Sequence, residues 1–443
     1  MNAREVALQI VRDVFPASGY GRGAQEALDY RVRKAELSAR DRAFATELAY
    51  GAIKMRRTLD WYLEPFLGER RNTLQPTTHE ILRLAVYELR YTRAEEYATV
   101  SQFVDLAKRY GHRGLAGLTN AVLRGFLREP PPEPARETFE SDDDYLGTKH
   151  SLPTWLVRQW RGVFGSKILE EICAGVNRPA QPAITVNRIR VEPSALAERL
   201  RDEGTIAHPS PFVPESMLVE SGSVALRERA AEGLWWVQSE SSAVAVEVLQ
   251  PHQGEQILDV CSGRGNKALQ IGSRLAGEGE LSCVDRDASK IDILQRRLAE
   301  CGISAATIAG DITDAELFAS ERRFDRVLLD APCSGTGVVG RHPEARWRKQ
   351  SGDGERLSAS QVALLHASAN RVYAGGALVY AVCSTDPREG IEVVEDFVAH
   401  HNFTRGLVPN VMEPFLTDAG DVLIPPGIGG RDGFYVARLE RRL

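Results

Sequence analysis

Two cysteines close two apolar runs. Cys333 stands in Leu328-Leu329-Asp330-Ala331-Pro332-Cys333-Ser334-Gly335-Thr336-Gly337, and Cys383 in Leu378-Val379-Tyr380-Ala381-Val382-Cys383-Ser384-Thr385. If these runs are neighbouring parallel strands, both thiols and the Asp330 carboxylate reach the crevice at the strands' carboxyl ends, where open α/β sheets bind ligands. A thiolate is a strong nucleophile that also leaves readily, so the layout suits covalent catalysis. The other cysteines, Cys173, Cys261, Cys283 and Cys301, read as small buried hydrophobes. No CxxC pair, zinc spacing or disulfide framework occurs, so six reduced thiols and no metal site are expected.

The elements that must position these groups alternate from Glu255 onward. Gln256–Val260, Leu281–Asp285, Ala305–Ala309, Arg326–Asp330 and Gly376–Cys383 read as strands. Lys267–Leu275, Ser289–Cys301 and Ser358–Tyr373 read as the helices between them. Repeated units of this kind imply a mostly parallel sheet with right-handed crossovers, and Gly433–Leu439 closes it as an antiparallel edge. In Ile257-Leu258-Asp259-Val260-Cys261-Ser262-Gly263-Arg264-Gly265-Asn266-Lys267 a buried strand runs through a glycine turn into a helix start. Gly263 and Gly265 let the backbone approach a ligand, and the helix amino terminus favours electron-rich groups. Asp285, at the end of the second strand, lies where nucleotide-binding sheets place a carboxylate on ribose hydroxyls. Asp311 after the third strand is a candidate acceptor for an adenine amino group; turn-capping is the alternative for both aspartates. There is no Gly-Lys-Thr/Ser phosphate loop.

A chain of 443 residues with 43% hydrophobic and 26% charged residues is an ordinary globular one of two to three domains. No membrane span or signal peptide is legible, which predicts a cytoplasmic location. Residues 1–128 hold 21 Lys and Arg against 15 Asp and Glu, a balance of +6, so with an overall charge of −6 the remainder carries −12. That segment reads as all helical, with Thr77-x-x-Glu80 as a capping box before Ile81, Leu84, Ala85 and Leu89. A proline-rich and acidic linker follows at 129–144, and a small α+β subdomain at 145–235, with Ala183–Arg188 a strand and Pro193–Glu203 a helix. Arg188 and Arg190 are candidates to meet phosphates.

Asp259 with its glycine turn, Asp285, Asp311, Asp330-Ala-Pro-Cys333-Ser-Gly-Thr-Gly and Val-Cys383-Ser-Thr, in this order, resemble the AdoMet-dependent RNA 5-methylcytosine methyltransferases. Residues 1–128, with Leu37-Ser38-Ala39-Arg40-Asp41-Arg42 and Leu118-Thr119-Asn120-Ala121-Val122-Leu123-Arg124, resemble the NusB-like RNA-binding domain. The fusion is characteristic of the branch of that family acting on 16S rRNA. The resemblance implies a Rossmann-like class I methyltransferase domain at 236–443, preceded by the all-α NusB-like domain and the small α+β RNA-binding subdomain. It further implies S-adenosyl-L-methionine as cofactor, 16S rRNA, free or in a partly assembled small subunit, as partner, and a monomer. Cys261, Ser262, Gly263, Arg264, Gly265, Asn266, Lys267, Asp285, Asp311 and Asp330 are the implied cofactor contacts. The turn departs from the family's Cys-Ala-Ala-Pro-Gly-Gly-Lys-Thr in placing Arg264 where a proline stiffens the loop.

C5 of cytosine is a poor nucleophile, so a thiolate must first add at C6, with an acid or hydrogen-bond partner at N3, for which Asp330 is the candidate. Residue types alone leave open which thiol attacks; the resemblance gives attack to Cys383 and product release to Cys333. Arg341, His342, Arg346 and Arg348, with Trp347 to stack or pack, are candidates to grip RNA, a solvated helix face being the alternative. Gln238 resembles a family position flanking the cofactor. Two other readings of the whole chain stay open: a tRNA or other rRNA target, and a non-catalytic RNA-binding, antitermination-like factor.

Overall fold

The computed structural model describes residues 1–222, 226 and 232–443, Arg71 by its backbone alone. The part of the expected small subdomain at 223–231, Leu226 apart, lies outside the described residues. The chain forms two compact units. One comprises Met1–Asn177 together with Arg341–Gln350, the other Arg178–Gly340 with Ser351–Leu443.

The first unit is helical. Its core joins Val6, Ile10 and Val14 of the helix Ala3–Val14 to Leu48 and Ile53 of Ala39–Lys54 and to Ile81, Leu84 and Ala85 of Pro76–Tyr91. The expected capping box is not formed. Proline is pre-set for the first helical position, so the helix begins at Pro76, ahead of Thr77, and Gln75 at its cap makes no side-chain bond. Glu80 instead pairs with Arg83 at 2.6 Å and Arg56 at 2.8 Å. The acidic run after the prolines is helical as well. Ser141 caps Asp142–Lys149, and three carboxylates lie in its first turn, where the helix dipole favours them.

The segment Arg341–Gln350 finishes four helices of this unit. Glu344 Oε1 accepts the amide of Ala24, the first residue of the helix Ala24–Ala35. Arg348 donates to Val14 O at 2.6 Å, Trp347 Nε1 to Ile53 O at 2.6 Å, and the buried Arg346 to Val176 O at 2.8 Å and Asn177 Oδ1 at 2.6 Å. These carbonyls lie at helix carboxyl ends, which lack partners within their own helices. The reading of Arg346 as an RNA grip is corrected, because its buried guanidinium is directed inward to those acceptors; Trp347 packs, and Arg348, though exposed, commits Nη2 to Val14 O.

In the second unit an antiparallel sheet of order β2-β3-β1-β4 is built from β1 (Ala183–Val186), β2 (Ala207–Pro209), β3 (Ser216–Val219) and β4 (Trp235–Val237). The strand β1 ends before Arg188, and Arg190 donates to Glu232 O at 2.8 Å. The larger sheet has the order β10-β12-β9-β8-β5-β6-β7, with β11 beside β12. Its strands are β5 (Gln256–Val260), β6 (Glu280–Asp285), β7 (Ala306–Ala309), β8 (Phe324–Asp330), β9 (Val372–Val382), β10 (Phe403–Arg405), β11 (Val422–Ile424) and β12 (Phe434–Arg441). Strands β5 to β9 run parallel, and β12 is antiparallel to β9.

Alternation along the central strands feeds two cores. Leu328, Val379 and Ala381 face the helices Glu240–Leu249 and Asn266–Leu275, while Val327, Leu329 and Tyr380 face Asp353–Ala369 and Ile391–His400. The expected helix to Tyr373 stops at Ala369, and Val372 and Tyr373 already belong to β9. The chain steps from β5 outward to β7 and then returns to the other side of β5 as β8. That reversal opens the crevice between the ends of β5 and β8.

Candidate active site

The ends of β8 and β9 are in register, Asp330 beside Ala381, and Ala331 N donates to Ala381 O at 2.9 Å. Each strand then enters a short loop, and the two loops meet. Cys333 Sγ lies 3.3 Å from Cys383 Sγ. Both residues are half-buried. The close Cys383 sulfur and burial together push the Cys333 thiol well above the ordinary range, so it keeps its proton. The loop around Cys333 has no room for a side chain at Gly337, where a Cβ would meet Gly433 O at 2.0 Å.

A cavity of about 240 Å³ is lined by Ser242, Asp259, the whole turn Cys261–Lys267 and Asp330, which ends the strand leading into the Cys333 loop; the two thiols are not in its lining. The turn holds Cys261, Gly263 and Gly265 at positive φ. Gly265 has φ +90°, and a Cβ there would approach Leu294 Cδ1 to 2.2 Å. Hydrogen bonds tie the turn to its neighbours. Ser262 N donates to Val284 O at 3.0 Å, Gly263 N to Asp285 Oδ2 at 2.9 Å, and Arg297 Nη1 to Arg264 O at 2.6 Å. The Arg264 side chain itself is exposed.

Electrostatics distinguish the acids. Lys267 Nζ donates to Asp330 Oδ2 at 2.6 Å and lies 5.3 Å from the centre of the Phe434 ring. Asp259 is fully buried, and neither carboxyl oxygen has a hydrogen-bond partner. Burial, with the neighbouring Asp330 and Asp285, pushes it up to about 8 against the pull of Lys267. Burial, with Asp285 next in weight, pushes Cys261 up to about 12. Asp285 is also buried and holds the backbone amides of Gly263 and Asp287. Asp311 is exposed and accepts from Thr313 N and Oγ1, which lowers its carboxyl below the usual range.

Of the sequence-derived contacts, Cys261–Lys267 and Asp330 line the cavity, and Asp285 and Asp311 do not. Gln238 is buried in a side-chain chain from Trp236 to Gln270, away from the cavity wall. Ser242 and Asp259 join the lining. A buried, unpartnered acid beside a turn that admits close backbone approach suits a ligand carrying positive charge, as the sulfonium and ammonium of AdoMet do. Sequence reasoning also passed over Glu389. It is buried and accepts hydrogen bonds from the loops of both thiols; lying between Arg388 and Gly390, it has the sequence context of a surface turn.

The model of the 16S rRNA methyltransferase RsmB/F family matches residues 246–440, the NusB family model residues 1–128, and that of the RsmF/B-like ferredoxin-like domain residues 152–225. The ribosomal RNA small subunit methyltransferase B of Thermus thermophilus is 35% identical over 421 residues, covering 95% of this chain and 94% of that protein. The chain belongs to the RsmB/F family. A probable member from Bacillus subtilis is 30% identical over 422 residues, with 93% of each chain covered. Among solved structures, that of PH0851 superposes with a TM-score of 0.82 at 23% identity, covering 100% of this chain and 99% of that one. NSun6 from Pyrococcus horikoshii, solved with SFG, gives 0.57 at 17% identity over 65% of this chain and 98% of that one. As a family member the chain is an AdoMet-dependent methyltransferase of small-subunit rRNA. Among the described residues, no helix is long and apolar enough to cross a membrane.

Proposed function

We propose that the chain methylates C5 of a cytosine in 16S rRNA through a covalent thioether to C6, with Cys383 as nucleophile and Cys333 as the group that completes release. The observation carrying this reading is the 3.3 Å separation of the two sulfurs at the ends of adjacent strands, one of which ends in Asp330, a residue of the cavity lining.

Cys333 keeps its hydrogen, so an S–H donor faces the Cys383 sulfur at 3.3 Å. Attack by Cys383 on C6 places negative charge on the ring; Asp330 passes to N3 a proton taken from the Lys267 ammonium 2.6 Å away and returns it when the C6–S bond breaks. Bound AdoMet supplies the methyl group to C5 as an electrophilic carbon on sulfur. Once Cys383 is a neutral thioether, the leading cause of the raised Cys333 pKa is gone. Cys333 then loses its proton to solvent, takes the C5 hydrogen, and the C6–S bond breaks to return the Cys383 thiolate. Atoms balance: one methyl group is gained and one proton is released. The target base must be unpaired or extruded to reach such a pocket.

The test is substitution of each thiol. Cys383→Ala is expected to abolish methyl transfer, and Cys333→Ala to leave RNA covalently trapped on the protein, seen as a denaturation-resistant band. Full activity in Cys383→Ala, with lost attack and no trapping in Cys333→Ala, exchanges the roles. Bisulfite sequencing of RNA from cells with and without the gene reads the base and the nucleotide.

A further inference from the structure

We infer that Glu389 is a positioning residue that sets the spacing of the two thiols. The inference rests on the two-thiol reading above. Glu389 is 0% exposed, and four hydrogen bonds converge on its carboxylate. Oε1 accepts from Ser334 N at 2.8 Å and Gln361 Nε2 at 3.1 Å; Oε2 accepts from Ser384 Oγ at 2.5 Å and from Ser334 Oγ. Ser334 directly follows Cys333, and Ser384 directly follows Cys383. One carboxylate therefore grips the residue next to each thiol.

The grip is fixed from behind. Tyr380 OH donates to Glu389 O at 2.6 Å, and Glu389 N to Asp386 O at 3.0 Å. Gln361, on the helix Asp353–Ala369, also donates to Pro332 O at 3.0 Å. Thr336 adds a cross-tie, facing Ser384 Oγ at 3.0 Å and accepting from Thr385 N at 3.1 Å.

The chemistry of the side chain matters. An ionised carboxylate is acceptor-only with about four lone-pair sites, matching four donors. Glutamine at this position would either turn its N–H₂ group toward Ser334 N–H and Gln361, opposing donor to donor in a buried place, or turn it toward the two serine hydroxyls, which must then accept instead of donate and release their hold. Its charge also contributes to the raised Cys333 thiol. An aspartate keeps the acceptor but falls one methylene short.

Phenylarsine oxide tests spacing without requiring turnover, because one arsenic bridges two neighbouring thiols with loss of one water. Cys333→Ala serves as the control for bridging. In the full chain, Glu389→Gln is expected to weaken arsenical binding by about 10-fold, the effect of one charge-assisted hydrogen bond. It should lower kcat by about 100-fold with little change in KM for RNA or Kd for AdoMet, as a displaced reacting group does. The pH profile should shift its thiol limb to lower pH, and Glu389→Asp should recover part of both losses. A folded Glu389→Gln with arsenical affinity and kcat within about two-fold of wild type overturns the inference. Should Glu389→Gln fail to fold, Ser334→Ala/Ser384→Ala removes hydroxyl donors from the carboxylate and is expected to weaken arsenical binding in the same direction; unchanged binding there also overturns it. Methyl transfer persisting in Cys383→Ala would instead remove the two-thiol reading, while the arsenical titration still reports what Glu389 does to the spacing.

Discussion

Lys267 Nζ and Asp330 Oδ2 stand 2.6 Å apart, tying the first turn of the helix Asn266–Leu275 to the last residue of β8. The pair joins the cofactor turn to the strand that leads into the Cys333 loop. Lys267 is nearly buried and Asp330 partly exposed, so its loss is felt locally rather than as global unfolding. Lys267→Met is expected to weaken AdoMet binding by about 10-fold to 100-fold, the range for a hydrogen bond to a charged group, as read by calorimetric titration. An unaltered Kd would show that the ammonium does not organise this cavity.

Gly265→Ala meets two obstacles at once. An L-residue is strained at φ +90°, at about 1–3 kcal/mol, and the new methyl collides with Leu294. AdoMet affinity and thermal stability should both fall. Adding Leu294→Ala relieves the collision but not the strain, so recovery of affinity should be partial. Complete recovery would mean that φ at this position is immaterial.

Asp259 gives the cofactor-free protein a pH signature. Its folded-state pKa of about 8 exceeds that of an unfolded aspartate, so the native state holds the extra proton between about pH 4 and 8. The stability from that protonation is complete below the unfolded pKa and is lost as pH rises through the folded one. Asp259→Asn removes the dependence. Its melting temperature relative to wild type should climb from pH 5 to pH 9, and a gap constant over that range would contradict protonation of Asp259.

Arg346→Ala should destabilise the helical unit. The substitution leaves Val176 O and Asn177 Oδ1 without this donor and opens a cavity where a fully buried side chain stood. A loss of about 3 kcal/mol is expected from these two effects, read as a lower urea midpoint. RNA affinity at concentrations of denaturant well below the transition should be retained, in keeping with a guanidinium directed into the unit.

Legibility in the sequence followed the range of the interactions. β5, β6 and β8 are fed by two cores and so read as continuous apolar runs, which gave their places closely. The glycine turn and Asp330 were legible because their chemistry is local to a strand end. Glu389 was not, since its burial is created by loops 55 residues and five residues away in the chain. Arg346 was misread for the same reason: its carbonyl partner Val176 O lies 170 residues earlier. Thr77 and Glu80 had the spacing of a capping box, but Pro76 started the helix first.

Because residues 341–350 complete helix ends in the amino-terminal unit, the polypeptide crosses between units three times, after Asn177, Gly340 and Gln350. No single cut yields two whole pieces. A fragment ending at 177 would lack its carboxyl-end donors and the Glu344 cap, and a fragment starting at 178 would carry ten residues folded for a body it no longer has. The module boundaries visible along the sequence therefore do not coincide with those of the compact units, and a truncation at 177 separates residues 341–350 from the helix ends they complete.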